Sequence, residues 1–241
     1  MWIKICGMTT PEAVAAAVAA RVAAIGFVFA PSPRRLSPRR AHELAAPARG
    51  RVRCVAVTRH PTQAALEEIL AVFNPDILQT DAADLQALRL PAALELLPVI
   101  RAGETLSAAL PARILFEGPS SGSGVAADWQ AARDLARSTQ LVLAGGLNSG
   151  NVAAAIATVR PFGIDVSSGV EARAGVKSPL AIIEFVTAAR ELQAAQHDAQ
   201  VAFDCIALGE LERAHEHALT ARVAADAAVT ALAAALGQPR E

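Results

Sequence analysis

The chain has 241 residues, 53% of them hydrophobic and 19% charged, with a formal net charge of −1. That apolar content excludes a disordered chain, which would lack the surface to offset its conformational entropy. The near-neutral balance leaves no basic field for nucleic acid or an anionic membrane surface.

The first apolar run, residues 2–6, stops at Gly7, and the opening MWIKICGMTT lacks the long apolar core of a signal peptide. Thr10 is placed to cap a helix that Pro11 opens and that runs to about residue 20. Residues 23–29 read as a buried strand closed by the proline-rich PSPRRLSP. Further strand-like runs follow at 52–58, 76–79, 97–101, 113–116, 140–144 and 163–167. Ala-rich helical windows separate them, among them 63–73, 84–90, 127–138 and 151–160. Continuous apolar runs signal strands buried on both faces, as in a parallel sheet. Eight such strands in about 195 residues fit a compact (β/α)8 TIM barrel, with an open doubly wound sheet as the alternative.

From about residue 194 the pattern changes, giving an expected barrel domain over 1–196 and a helical C-terminal appendage over 197–241. His197, His215 and His217 lie in the appendage. Residues two apart do not share a helical face, so His215 and His217 read as solvated histidines rather than metal ligands. No apolar run reaches the about 18–20 residues of a membrane span. Cys6, Cys54 and Cys205 do not suggest a disulfide framework. The expectation is a cytoplasmic protein.

In such a barrel the chemistry sits at strand C-termini and in the loops that follow. Cys6 ends the first strand and shares parity with Lys4, so both face one way and the ammonium should favour the thiolate. The bland alternative is a small core hydrophobe; Cys54 and Cys205 read as inert. Glu117 follows the sixth strand and is placed to act as a general acid, against a plain reading as a solvated loop acid. Asp128 reads as a helix cap. Glycine-rich stretches at 121–124, 145–148 and 167–169 follow strands six, seven and eight, where backbone N–H groups and helix N-termini suit a phosphate. In the second loop, Arg34 is favoured over Arg35 to clamp a carboxylate, and Arg39 and Arg40 read as surface.

Taken together these stretches resemble the phosphoribosylanthranilate isomerase family of tryptophan biosynthesis. The resemblance rests on KICGMT at 4–9, GFVFAPSPRRLSP at 26–38, Leu78 with Gln79, GSG at 122–124 with Asp128 and Trp129, LAGGLNSGNV at 143–152, DVSSGVE at 165–171 and GVK at 175–177. It implies a (β/α)8 barrel without cofactor or metal that rearranges N-(5′-phosphoribosyl)anthranilate to the carboxyphenylamino-deoxyribulose phosphate. It also implies Cys6 as general base, Glu117 as general acid and Arg34 at the substrate carboxylate. Lys4, Gln79, Gly122, Gly124, Gly145, Gly146, Asn148, Asp165, Ser167, Ser168 and Gly169 then fall to substrate binding. The partners expected are a phosphorylated small molecule and at most a second copy of the chain, as monomer or homodimer, with neither nucleic acid nor membrane.

This sequence departs from the family pattern at several positions. Glu117 stands where aspartate is typical, Asp81 where histidine often follows the glutamine, Thr58 where asparagine is usual, and Ser121 at the first expected glycine of its loop. Two rival functions are an isomerase of the histidine-pathway aminoaldose and a non-catalytic barrel that binds a phosphorylated ligand. The first usually carries two catalytic aspartates and paired phosphate sites; here the pair is cysteine and glutamate.

Overall fold

A computed structural model describes residues 1–104, 110–118 and 128–236, with 227–236 described by backbone alone. Eight parallel strands pair in chain order: β1 (Trp2–Cys6), β2 (Ala24–Val28), β3 (Arg53–Val57), β4 (Ile77–Asp81), β5 (Glu95–Arg101), β6 (Arg113–Glu117), β7 (Gln140–Leu143) and β8 (Gly163–Val166). Pairing of β1 with β8, Lys4 opposite Asp165, closes the barrel. The open-sheet alternative is thereby excluded, and every expected strand lies within a few residues of its place.

Helices on the outside are α1 (Pro11–Ala19), α2 (Pro38–Ala45), α3 (Gln63–Phe73), α4 (Trp129–Ala136) and α5 (Val152–Val159), followed by α6 (Pro179–Ala207) and α7 (Leu211–Leu236). A short antiparallel pair, β9 (Glu171–Arg173) and β10 (Val176–Lys177), straps the mouth of the barrel between β8 and α6. Side chains of Thr10, Ser37, Thr62, Asp128 and Ser178 accept backbone N–H groups at the starts of α1, α2, α3, α4 and α6. Each such cap is worth about 1 kcal/mol. Asp128 is thus a cap, as its place beside Trp129 suggested.

Two apolar layers follow from strands buried on both faces. Ala24, Val55, Ile77, Leu97, Val99, Leu115 and Val142 fill the barrel itself. A larger shell including Ile3, Ile5, Ile25, Phe27, Leu78, Ile114, Leu141 and Ile164 packs under the helices. At the N-terminal end, Arg113 lies over Phe162 at 4.6 Å and Trp2 at 6.0 Å, and pairs with Glu95 at 2.6 Å.

The helical window expected at 84–90 is replaced by a single 3₁₀ turn, Asp84–Gln86. Pro91 disfavours helix at the residue before it. The Asp84 carboxylate is also engaged, accepting from Thr80 Oγ1 at 2.7 Å and from His60 N–H at 2.9 Å.

The C-terminal segment is a helical hairpin. Helix α6 seats Ile182, Phe185, Val186 and Ala189 against the barrel, runs unbroken across residue 196, and buries Ala195, Ala202 and Cys205 in its outer half. It stops at Gly209, whose φ of +79° suits glycine and lets the N–H groups of Gly209 and Glu210 reach the carbonyls of Ile206 and Cys205. Helix α7 then folds back along α6. His217, expected to be solvated, is half-buried and meets Asp198 of α6 at 3.1 Å. Removing residues 209–241 is expected to lower Tm, by uncovering the apolar face of α6, while kcat and KM keep their full-chain values. Steady-state assays beside thermal melts check this; loss of turnover in a soluble truncated chain would tie the hairpin to the site.

Candidate active site

At the C-terminal end of the barrel lies a cavity of about 280 Å³, with walls from all eight strand ends or the loops after them. Cys6 reaches it from β1 and is 7% exposed. Its neighbour across the sheet is Gly26, where an added Cβ would stand 3.0 Å from Cys6 Sγ and 3.2 Å from Lys4 Cε. Absence of a side chain at position 26 is therefore what lets Lys4 and Cys6 share the inner face. Lys4 is fully buried, donates to Asp165 Oδ1 at 2.9 Å, and does not line the cavity. Burial works against its charge, but Asp165 and the Cys6 sulfur outweigh that and raise its pKa.

The expected activation of Cys6 by Lys4 is present but is not the largest effect. Burial pushes the Cys6 thiol up; Lys4 and Lys177 pull it back only in part, and Asp165 adds to the rise. The net effect of the surroundings is thus to disfavour the thiolate.

Arg34 lines the cavity from the loop after β2, while Arg35 is exposed. Its Nε and Nη2 donate to the two carboxylate oxygens of Glu171 at 2.6 and 2.8 Å, which leaves three of its five N–H donors. Glu171, held below the usual carboxylate range because Arg34 and Lys177 outweigh the effect of burial, also accepts from Lys177 Nζ at 2.7 Å.

On the opposite wall Glu117 ends β6 and pairs with Arg101 Nε at 3.2 Å. The same guanidinium donates to Asp81 Oδ1 at 2.6 Å. Gln79 faces the cavity from β4, and its buried Oε1 has no hydrogen-bond partner among the described residues. Buried acceptors of that kind are rare, and a ligand donor would satisfy it.

Gly145 and Gly146, with φ of +89° and +66°, turn the chain after β7 beside Ser167 and Ser168 after β8. These two loops touch at a bridge between Asn148 and Gly169, and a Cβ at Gly169 would fall 1.9 Å from the Leu147 carbonyl oxygen. Asn148 and Gly169 thus lie behind the cavity rather than on it. The Asn148 side chain accepts from the N–H groups of Gly150 and Asn151 and so shapes the loop. Gly122 and Gly124 lie outside the described residues.

Among the described residues His60, Asp81 and Asp84 bring three possible ligand atoms within 4.8 Å. However, His60 already turns Nδ1 to Asp84 at 2.8 Å and Nε2 to Asp81 at 3.4 Å. Arg101 and Arg59 stand 2.6 and 3.9 Å from Asp81, so an ion there would meet two guanidinium groups. The set is an ion-pair network.

A family model described as N-(5′-phosphoribosyl)anthranilate (PRA) isomerase matches residues 3–188. The chain belongs to that isomerase family. An N-(5′-phosphoribosyl)anthranilate isomerase of Rhizobium etli is 40% identical over 205 residues, covering 77% of this chain and 92% of its own. The crystal structure of TrpF from Jonesia denitrificans superposes with a TM-score of 0.67 at 35% identity, over 80% of this chain and 98% of that one. A further phosphoribosylanthranilate isomerase, solved in complex with reduced 1-(o-carboxyphenylamino)-1-deoxyribulose 5-phosphate, superposes with a TM-score of 0.64 at 26% identity, over 79% and 98%. Residues 189–207 of α6 and all of α7 fall beyond the family match.

Sequence reasoning brought Cys6, Arg34, Gln79, Glu117, Gly145, Gly146, Asp165, Ser167 and Ser168 of this isomerase to one cavity. It missed Arg101, although a charged residue at the end of a barrel strand is itself a signal. Glu171 and Lys177 were quoted only within motifs; the pairing of Glu171 with Arg34 crosses 137 residues of chain. Asp165→Asn is expected to leave a buried ammonium unpaired at Lys4 and cost about 3–5 kcal/mol. Urea unfolding beside the parent chain measures this.

Proposed function

We propose that Cys6 and Glu117 are the general base and general acid of the isomerisation, with Arg34 at the substrate carboxylate and the loops after β7 and β8 at the phosphate. The chain is a phosphoribosylanthranilate isomerase: it rearranges N-(5′-phosphoribosyl)anthranilate to 1-(2-carboxyphenylamino)-1-deoxyribulose 5-phosphate. The observation that carries the residue assignment is the placement of a cysteine, a carboxylate and an arginine, from β1, β6 and the loop after β2, on one cavity. The substrate is a phosphorylated small molecule, in keeping with the phosphorylated analogue bound by the similar enzyme.

The reaction runs in three steps: ring opening, formation of an enolamine, and ketonisation. Glu117 gives a proton to the furanose ring oxygen, the C1′–O bond breaks, and the amine nitrogen forms a protonated Schiff base. The Cys6 thiolate then takes the C2′ proton, and the electrons of that bond flow to the iminium nitrogen, giving an enolamine. Ketonisation puts a proton on C1′ and removes one from the 2′-hydroxyl, yielding the ketose. The iminium is the electron sink. Each positioned group is worth roughly 10²–10⁴-fold in rate.

Gln79 fits as acceptor for a sugar hydroxyl or the anilino N–H, since its Oε1 has no partner among the described residues. Gly145, Gly146, Ser167 and Ser168 offer backbone and hydroxyl donors to the phosphate oxygens. Arg34 enters binding already aimed, because Glu171 fixes the far edge of its guanidinium.

Glu117→Gln is expected to lower kcat at least ~10²-fold with little change in KM, since the amide delivers no proton and the anchors lie elsewhere. Steady-state kinetics on N-(5′-phosphoribosyl)anthranilate read both terms; turnover near that of the parent would remove Glu117 from the mechanism. Glu117→Asp is expected to fall short as well, since a group displaced by about 1 Å loses about 10²-fold.

The base carries its own pH signature. Burial pushes the Cys6 thiol up, so its thiolate fraction, and with it kcat/KM, should rise with pH from neutral to alkaline. A pH–rate profile flat from neutral to alkaline pH, or substantial turnover by Cys6→Ala, would exclude Cys6 as base.

A further inference from the structure

One buried charge at the site has no part in the steps above. Lys177 ends β10 and is only 2% exposed. Its Nζ donates to Glu171 Oε1 at 2.7 Å and to the carbonyl and hydroxyl oxygens of Ser167 at 3.1 and 3.3 Å. A Cβ added at Gly7 would stand 3.3 Å from that nitrogen, so the ammonium lies against the residue that follows Cys6. From the other direction Lys4 reaches the same thiol along β1, as the shared crowding at Gly26 shows. Two ammonium groups thus act on Cys6, one from the barrel wall and one from the strap.

The charges about Cys6 do not balance while it is a thiol. Lys4 on β1, Arg34 in the loop after β2 and Lys177 on β10 are the cations; Asp165 on β8 and Glu171 on β9 are the carboxylates. Lys4 takes Asp165, and Arg34 takes both oxygens of Glu171. Lys177 shares Glu171 Oε1 with Arg34 Nε, which leaves the buried group one positive charge in excess. A thiolate at Cys6 cancels that excess.

Resting on the reading of Cys6 as base, we infer that Lys177 is a positioning residue whose ammonium the Cys6 thiolate balances, delivered to the site by the β9–β10 strap. The strap is tied to both loops beside Cys6. Thr9 Oγ1 donates to the Gly175 carbonyl at 2.6 Å, and Gly175 passes so near Pro33 that an added Cβ would meet its carbonyl oxygen at 2.7 Å. The directions of the proton affinities agree: Lys177 pulls the Cys6 thiol down against burial, and burial holds Lys177 below the ordinary lysine range.

The test reads the thiol rather than turnover. Iodoacetamide is applied to the full chain across a pH series, and alkylation of the Cys6 peptide is followed by mass spectrometry. Lys177→Met is expected to raise the alkylation midpoint by about one pH unit or more, making the reaction about tenfold slower at a fixed pH below it. Lys177→Arg should restore most of the loss. Glu171→Gln, which keeps an oxygen for both donors but removes a negative charge, should move the midpoint down.

An unmoved midpoint in folded Lys177→Met overturns the proposal, as does an unmoved or raised midpoint in Glu171→Gln. Should Lys177→Met fail to fold, Glu171→Gln decides alone. Failure of the base reading looks different: Cys6→Ala would keep turning over while the alkylation midpoints still shifted as stated.

Discussion

The barrel closes where Lys4 of β1 meets Asp165 of β8, and that buried ion pair governs what stands above it. An ammonium taken fully out of water costs several kcal/mol unless a carboxylate meets it with good geometry. The two residues are register partners across the closing seam, so the pair forms when the barrel is shut. Strand parity then puts Cys6 two residues further along the same inner face, at the mouth. Gly26, its neighbour on β2, leaves room for both side chains. Closure of the fold and placement of the thiol are one arrangement, read from two ends.

Above the seam the site is held by contacts too close for substitution. Gly7 has a φ of +80°, and an added Cβ there would lie 2.5 Å from Arg34 Cδ. The stem of the arginine therefore crosses directly over the turn that ends β1. Its guanidinium is locked by Glu171 in a two-bond fork that holds it in one orientation. Gly169 does the same for the loops after β7 and β8, since the Leu147 carbonyl occupies the space of a side chain. Glycines at these places permit close approach of chain segments far apart in sequence.

The strands were legible because most of their residues are buried and each reads as a short, largely apolar run set between helical windows or turns. The helix after β3 matched its expected span of 63–73, with Thr62 as cap and an apolar face of Leu66, Ile69 and Phe73. After β4 the apolar window at 84–90 misled, because Pro91 and the engaged Asp84 carboxylate overrode its helical propensity. That Cys6 and Glu117 face the cavity was legible from their places at or beside strand ends. What could not be read was pairing across the mouth: Glu171 on Arg34, Lys177 beside Gly7, Arg101 on Glu117. Nor could the balance at Cys6, where a neighbouring lysine argued for thiolate and burial argued more strongly against it.

Two departures from the family pattern, independent in the sequence, meet on one side chain. Asp81 and Glu117 approach the Arg101 guanidinium at 2.6 and 3.2 Å. An aspartate at position 81 adds a negative charge at the mouth, and Arg101 answers it with the shorter of its two contacts. Glutamate at position 117 has one methylene more than aspartate, and its carboxylate meets the same guanidinium from the end of β6. His60 and Arg59 complete the ring about Asp81 from the loop after β3. Groups that share a partner in this way couple, so the two positions constitute one unit of the site rather than two separate substitutions. Glu117 is thereby held by a network that shares no residue with the Lys4, Arg34 and Lys177 cations about Cys6.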